Sequence, residues 1–202
     1  MSRFPPIEPY ETGMLDVGDG ASMYWECSGN PNGVAALYLH GGPGSGCTPG
    51  SRRYFDPERF RIICLDQRGC GRSRPLASDD GANLRFNTTA HLIADIEHLR
   101  RRLGVDRWIV VGVSWGTTLA LAYAQQNPQC VRGIVLALVT TTSRREVQWI
   151  THDVGRIFPE QFQRFREFVP DELRAVPIVD AYAKNAVRSR LHSPQRSRAQ
   201  LV

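Results

Sequence analysis

The chain has 202 residues, 42% of them hydrophobic and 22% charged, enough for one domain with a buried core, and no apolar run is long enough to span a membrane. Its net charge of +5 comes entirely from residues 184–202, where Lys184, Arg188, Arg190, Arg196 and Arg198 stand without an acid. With 25 basic residues in all, that leaves 20 basic and 20 acidic side chains on residues 1–183, so no folded nucleic-acid or membrane face is expected.

The five cysteines, Cys27, Cys47, Cys64, Cys70 and Cys130, are odd in number and form no C-x-x-C pair. This pattern reads as reduced thiols, against a disulfide framework or a metal site. The first residues, Met1 to Glu8, lack the apolar stretch of a secretion signal, so the expected location is cytoplasmic.

Residues 4–10, Phe-Pro-Pro-Ile-Glu-Pro-Tyr, can only be extended or looped. Glu11–Val17 and Ser22–Cys27 flank Asp19-Gly20, a strong hairpin signal. Asn30–Gly33 is a turn, and Val34–Leu39 is a continuous apolar run that reads as a buried strand. It leads into the glycine loop His40-Gly41-Gly42-Pro43-Gly44. Arg61–Leu65 is a second buried strand, followed by Asp66-Gln67-Arg68-Gly69-Cys70-Gly71-Arg72-Ser73. Asn87-Thr88-Thr89 caps a long amphipathic helix with Leu92, Ile93, Ile96, Leu99 and Leu103 on one face.

Trp108–Val111 is a third buried strand and Thr118–Gln126 a helix that stops before Pro128. Val131–Val139 is a further strand, after which Arg144–Val169 is helical in character and rich in Phe, Arg and Glu. Residues from Lys184 onward show no apolar periodicity and are expected to be disordered. Strands alternating with helices up to residue 139 give an α/β fold, a mostly parallel sheet with an antiparallel N-terminal hairpin.

Between the third strand and its helix lies Gly112-Val113-Ser114-Trp115-Gly116, a G-x-S-x-G elbow in the strand–turn–helix setting that gives it meaning. Small residues two positions either side let helix and strand pass closely, and the serine hydroxyl stands clear at a helix N-terminus. A serine attacks only with a base to take its proton and donors to stabilise the oxyanion. Ser114 is therefore the candidate nucleophile, with the Trp115 N–H and the Gly42 N–H of the preceding glycine loop as candidate oxyanion donors. His40, Gly41, Pro43 and Gly44 complete that loop.

These pieces resemble the proline iminopeptidase (prolyl aminopeptidase) branch of the α/β-hydrolase superfamily. The similarity lies in Phe4–Tyr10, His40–Gly44, Asp66–Ser73 and Gly112–Leu121, extends to Trp149-Ile150 and Gly155–Glu160, and covers roughly residues 4–183. It implies an α/β-hydrolase fold and release of N-terminal proline from peptides through an acyl-enzyme on Ser114, without metal or cofactor. Asp66, Arg68 and Gly71 are then structural, tying the loop near the active site. The domain reading is residues 1–140 as the N-terminal part of the core, 141–183 as the start of a helical cap and 184–202 as a basic tail. Val113 and Thr117 stand where the family more often shows Gly and Ser.

In α/β-hydrolases the acid and then the base follow the serine. Here only His152 and His192 follow Ser114. His152 precedes all of Asp153, Asp171 and Asp180, and His192 lies in the basic tail. The catalytic Asp and His are therefore expected beyond this sequence, which reads as C-terminally truncated, with the last strands missing and the activity impaired or absent. Val131–Val139 would then be an exposed apolar edge. The alternatives are an α/β-hydrolase acting on other esters or amides, or a non-catalytic fragment.

Overall fold

A computed structural model describes residues 3–79, 82 and 84–192. Through residue 137 it alternates β1 (Pro9–Asp16), β2 (Ser22–Gly29), β3 (Val34–Leu39), the short helix α1 (Pro49–Arg52), β4 (Phe60–Leu65), α2 (Thr89–Arg102), β5 (Trp108–Val113), α3 (Trp115–Gln126) and β6 (Val131–Ala137). The six strands form one sheet in the order β1-β2-β4-β3-β5-β6. Strands β3, β4, β5 and β6 run parallel, while β1 and β2 join antiparallel at one side, β2 against β4. The β1–β2 turn is made by Gly18, Asp19 and Gly20, all at positive φ, which is why an Asp-Gly pair marks it.

The central strands are buried on both faces, and their alternate residues enter different cores. Leu37, Leu39, Ile63, Leu65 and Val110 pack with α2 and α3, while Ala36, Tyr38, Ile62, Cys64 and Val111 pack with Phe55 on the other face. Helix α2 buries Leu92, Ile93, Ile96 and Leu99, followed by Leu103, and the Thr88 hydroxyl caps it by accepting from the His91 N–H. Burying those five side chains contributes on the order of 10 kcal/mol before chain entropy is counted. At the base of the sheet, Trp108 Nε1 donates to the Tyr123 hydroxyl at 3.1 Å, and that hydroxyl donates to Glu97 at 2.6 Å. Both ring systems are fully buried, so these bonds satisfy polar tips that would otherwise destabilise the core.

Strand β6 pairs only with β5 among the described residues and lies at the sheet edge. It and the residues after it expose Ile134 (38%), Val135 (53%), Leu138 (77%) and Val139 (55%). The exposed apolar edge expected for Val131–Val139 is present.

The chain divides into two compact units at Thr141–Thr142. The second consists of α4 (Arg144–Thr151), α5 (Pro159–Glu167) and α6 (Ile178–His192) with short 3-10 turns between them. Its small core is Val169, Leu173 and Ala181, beside stacked rings of Phe165 and Tyr182. Helix α6 corrects one expectation, because it continues past Lys184 into the stretch read as disordered. No glycine or proline interrupts that stretch before Pro194, so backbone propensity extends the helix where apolar periodicity has already failed. The remainder of the expected tail, 193–202, lies outside the described residues. No helix among the described residues is long and apolar enough to cross a membrane.

Candidate active site

Ser114 occupies the junction of β5 and α3 with φ 54° and ψ −123°, a conformation that side-chain-bearing residues rarely adopt. Its N–H donates to Ala137 O at 3.0 Å, and its carbonyl accepts the Thr117 N–H at 2.8 Å. The Thr117 hydroxyl lies 2.7 Å from the same carbonyl and accepts the Thr140 N–H at 2.9 Å. Thr117 thus binds the elbow to the residues after β6 with the hydroxyl that a serine there would also provide.

The flanking glycines are required by backbone approach. A Cβ on Gly116 would strike Leu39 O and come within 2.8 Å of Leu39 C and 2.9 Å of His40 O. A Cβ on Gly112 would meet Gly116 C at 2.7 Å and Thr117 Cα at 2.9 Å. Helix α3 therefore starts directly against the end of β3, where the glycine loop begins. Gly41 packs onto the elbow itself, since a Cβ there would sit 2.9 Å from Ser114 Cβ and 3.4 Å from its Oγ. Gly42 has φ +112°, and a Cβ on it would crowd the Ser45 N–H at 2.9 Å. Sequence-predicted Ser114, Trp115, Gly41 and Gly42 thus converge at one end of the sheet.

His40 is buried, and its Nε2 accepts the Gln67 backbone N–H at 3.0 Å. The proton must then sit on Nδ1, which donates to Gly41 O at 2.9 Å. Burial holds its pKa below the ordinary histidine value, outweighing the Gly41 carbonyl and the Asp66 charge. A neutral ring with both nitrogens engaged is a fixture of the loop and not a free base.

The Asp66–Ser73 segment wraps the far side of this loop. Asp66 Oδ1 accepts the Cys47 N–H at 2.7 Å, and Oδ2 accepts both the Arg72 N–H and Arg72 Nε at 2.8 Å. Gly71, at φ +57°, permits this because a Cβ there would lie 2.7 Å from Asp66 Cγ. Arg72 also donates to Cys47 O at 3.3 Å and to Glu26 at 2.9 Å, and Glu26 is held from its other side by Arg52 at 2.8 Å. Burial would raise the pKa values of Asp66 and Glu26, but the hydrogen bonds from Arg72, Cys47 and Arg52 prevail and lower both. Arg68 turns away to Asp95 at 2.7 Å and the Phe86 carbonyl at 3.0 Å.

Glu26 and Arg52 are members of this network that lie outside the motifs, and Gln67, inside Asp66–Ser73, was given no role there. A glutamate inside the apolar run of β2 was a signal, because a buried charge there needs a partner. A cavity of about 510 Å³ adjoins the loop, with Pro43, Gly44, Gln67, Cys70, Thr88 and Trp115 among its walls. The Trp115 indole N–H is buried without a hydrogen-bond partner among the described residues. Burial and the Asp66 charge push the Cys70 thiol up to about 11, so it is a packing group at neutral pH.

In the second unit, His152 Nδ1 lies 3.0 Å from Asp153 Oδ1 in an exposed pair of sequence neighbours. A cavity of about 250 Å³ in that unit is walled by apolar side chains with Arg166, Arg174 and His152. Among the described residues, no group of three or more His, Cys, Asp or Glu side chains could hold a metal ion.

Residues 37–187 match the alpha/beta hydrolase fold family. Over 182 residues, 90% of the chain, it is 54% identical to a probable proline iminopeptidase of Streptomyces coelicolor and 45% identical to a proline iminopeptidase of Arabidopsis thaliana. These alignments span 56% and 47% of the two relatives, so the chain covers about half the length of the proteins it matches. A crystal structure of a proline iminopeptidase-related protein from Thermus thermophilus superposes with TM-score 0.55 at 34% identity, over 64% of this chain and 44% of that one. The sheet order, the strained serine at its βα turn and the match over most of the sequence agree: the chain belongs to the alpha/beta hydrolase fold family.

Proposed function

We propose that the whole protein is a serine-dependent aminopeptidase of the proline iminopeptidase type, releasing N-terminal proline from peptides in the cytoplasm, and that this chain carries its nucleophile and oxyanion hole. The observation that carries the reading is Ser114 itself, strained at φ 54° and packed against Gly41 of the glycine loop. Ser114 Oγ attacks the prolyl carbonyl carbon while a base removes its proton. The carbonyl π-bond electrons move onto oxygen, where the Trp115 and Gly42 N–H groups receive the charge. Collapse expels the peptide amine, which takes that proton, and water then releases proline from the Ser114 ester.

The acid and base belong to the part of the whole protein not present in this sequence. His152 and Asp153 stand in the wrong order for the role, and His40 is engaged on both nitrogens. On that reading the 202-residue chain alone is impaired, with kcat lower by a factor on the order of 10^6.

The test is turnover of a prolyl anilide against simple acyl esters by the whole protein and its Ser114→Ala variant. Prolyl preference lost on substitution supports the proposal. Preference for simple esters assigns another hydrolase activity. Turnover that persists in Ser114→Ala refutes the nucleophile assignment.

A further inference from the structure

We infer that Gln67 is a positioning residue for the oxyanion hole, holding the glycine loop in register with Ser114; this rests on Ser114 being the nucleophile. The loop between His40 and Cys47 contains Gly41, Gly42, Gly44 and Gly46, residues with the greatest backbone freedom. Within the loop, the backbone hydrogen bond is a long one, Ser45 N–H to Gly41 O at 3.3 Å. Donors that stabilise an oxyanion must nevertheless be fixed before the charge develops. The rigidity has to be imposed from outside.

The structure shows where it comes from. At the C-terminal end, Asp66 and Arg72 take the N–H and the carbonyl of Cys47. At the N-terminal end, Gln67 alone supplies two bonds to His40. Its backbone N–H reaches the ring Nε2 at 3.0 Å, and its side-chain Nε2 reaches the His40 carbonyl at 3.0 Å. The first bond fixes the ring tautomer and thereby the Nδ1–H bond to Gly41 O, one residue from the Gly42 donor. The second fixes the peptide plane leading into Gly41, which packs on Ser114 Cβ. Gln67 is buried and walls the cavity beside Trp115 together with Pro43 and Gly44 of the loop.

Gln67→Met preserves length and burial and removes the side-chain amide, and with it the donor to the His40 carbonyl. Loss of a whole oxyanion donor costs about 10^2–10^3 in kcat, so a donor that is mis-aimed and still present should cost about tenfold. The experiment measures kcat, KM and Tm of the whole protein on a prolyl anilide, for wild type, Gln67→Met, Gln67→Glu and Ser114→Ala. Both Gln67 variants are expected to lower kcat about tenfold with KM within about twofold; Tm stays nearly unchanged in Gln67→Met and falls in Gln67→Glu, which sets a carboxylate against the His40 carbonyl. Gln67→Glu places an acceptor where the donor stood and decides the matter if Gln67→Met does not fold. Unchanged kcat in the Gln67 variants, with Ser114→Ala inactive, overturns this inference alone. A joint fall of kcat and Tm in Gln67→Met overturns it as well, since that marks a general structural role. Activity in Ser114→Ala overturns the reading on which it rests.

Discussion

Gly116→Ala is the sharpest test of how the elbow is built. The added methyl meets Leu39 O, Leu39 C at 2.8 Å and His40 O at 2.9 Å, all backbone atoms of the last residue of β3 and the first of the glycine loop. A flexible side chain could rotate away, but a strand hydrogen-bonded on both sides cannot. Over-packing a well-filled site typically costs about 1–3 kcal/mol, and these immovable neighbours place Gly116→Ala at the top, about 3 kcal/mol or more. For a chain of this size each kcal/mol shifts Tm by about 2–4 °C, so a fall of about 6–12 °C is expected. The control is Gly133→Ala in β6, where an added Cβ finds nothing within 4 Å. It should be neutral or stabilising by about 0.5 kcal/mol, because glycine in a strand carries excess unfolded-state entropy. Urea unfolding of both variants, with thermal melts, measures the difference. A loss below about 1 kcal/mol for Gly116→Ala, or an equal loss for Gly133→Ala, would falsify the packing account.

Three further outcomes follow from the same geometry. Ser114→Gly relieves the positive φ and should raise stability by about 1 kcal/mol while removing the nucleophile; a Tm at or below wild type contradicts the strain. His40 is kept neutral by burial, so its folded pKa lies below the unfolded value of 6.5. Its contribution is complete above that pH and lost as pH falls through the depressed folded value, at up to about 1.4 kcal/mol per pH unit. His40→Gln should remove that slope in urea titrations between pH 7 and 5, and an unaltered slope rejects the assignment. Val135→Lys places a charge on the exposed β6 edge and should reduce light scattering by the 202-residue chain on warming; unchanged scattering means that aggregation starts elsewhere.

Much of this architecture was legible in the sequence because it depends on local chemistry. The apolar runs of β3, β4 and β5 announced buried strands, Asp19-Gly20 announced the hairpin, and the glycines around Ser114 announced a turn with no room for side chains. The antiparallel insertion of β2 beside β4 was not legible, since strand order is set by long-range pairing. Nor was the chain of partners from Asp66 through Arg72 and Glu26 to Arg52. Those residues are up to 46 positions apart, and only folding brings them together. Helix α6 escaped for the opposite reason, since its propensity is local but its apolar pattern is too weak to see.

The contact that holds Ser114 in its unusual conformation comes from an edge strand. The Ser114 N–H bonds to Ala137 at the end of β6, and Thr117 bonds to Thr140 just beyond, while β6 itself is open along its outer side. Edge strands open locally at free energies well below that of global unfolding. When β6 frays, the elbow loses its outer anchor while β3, β4 and β5 remain paired. On warming, the strained Ser114 conformation is therefore expected to relax at a lower temperature than the sheet melts, so loss of the elbow geometry and unfolding of this chain are separate events.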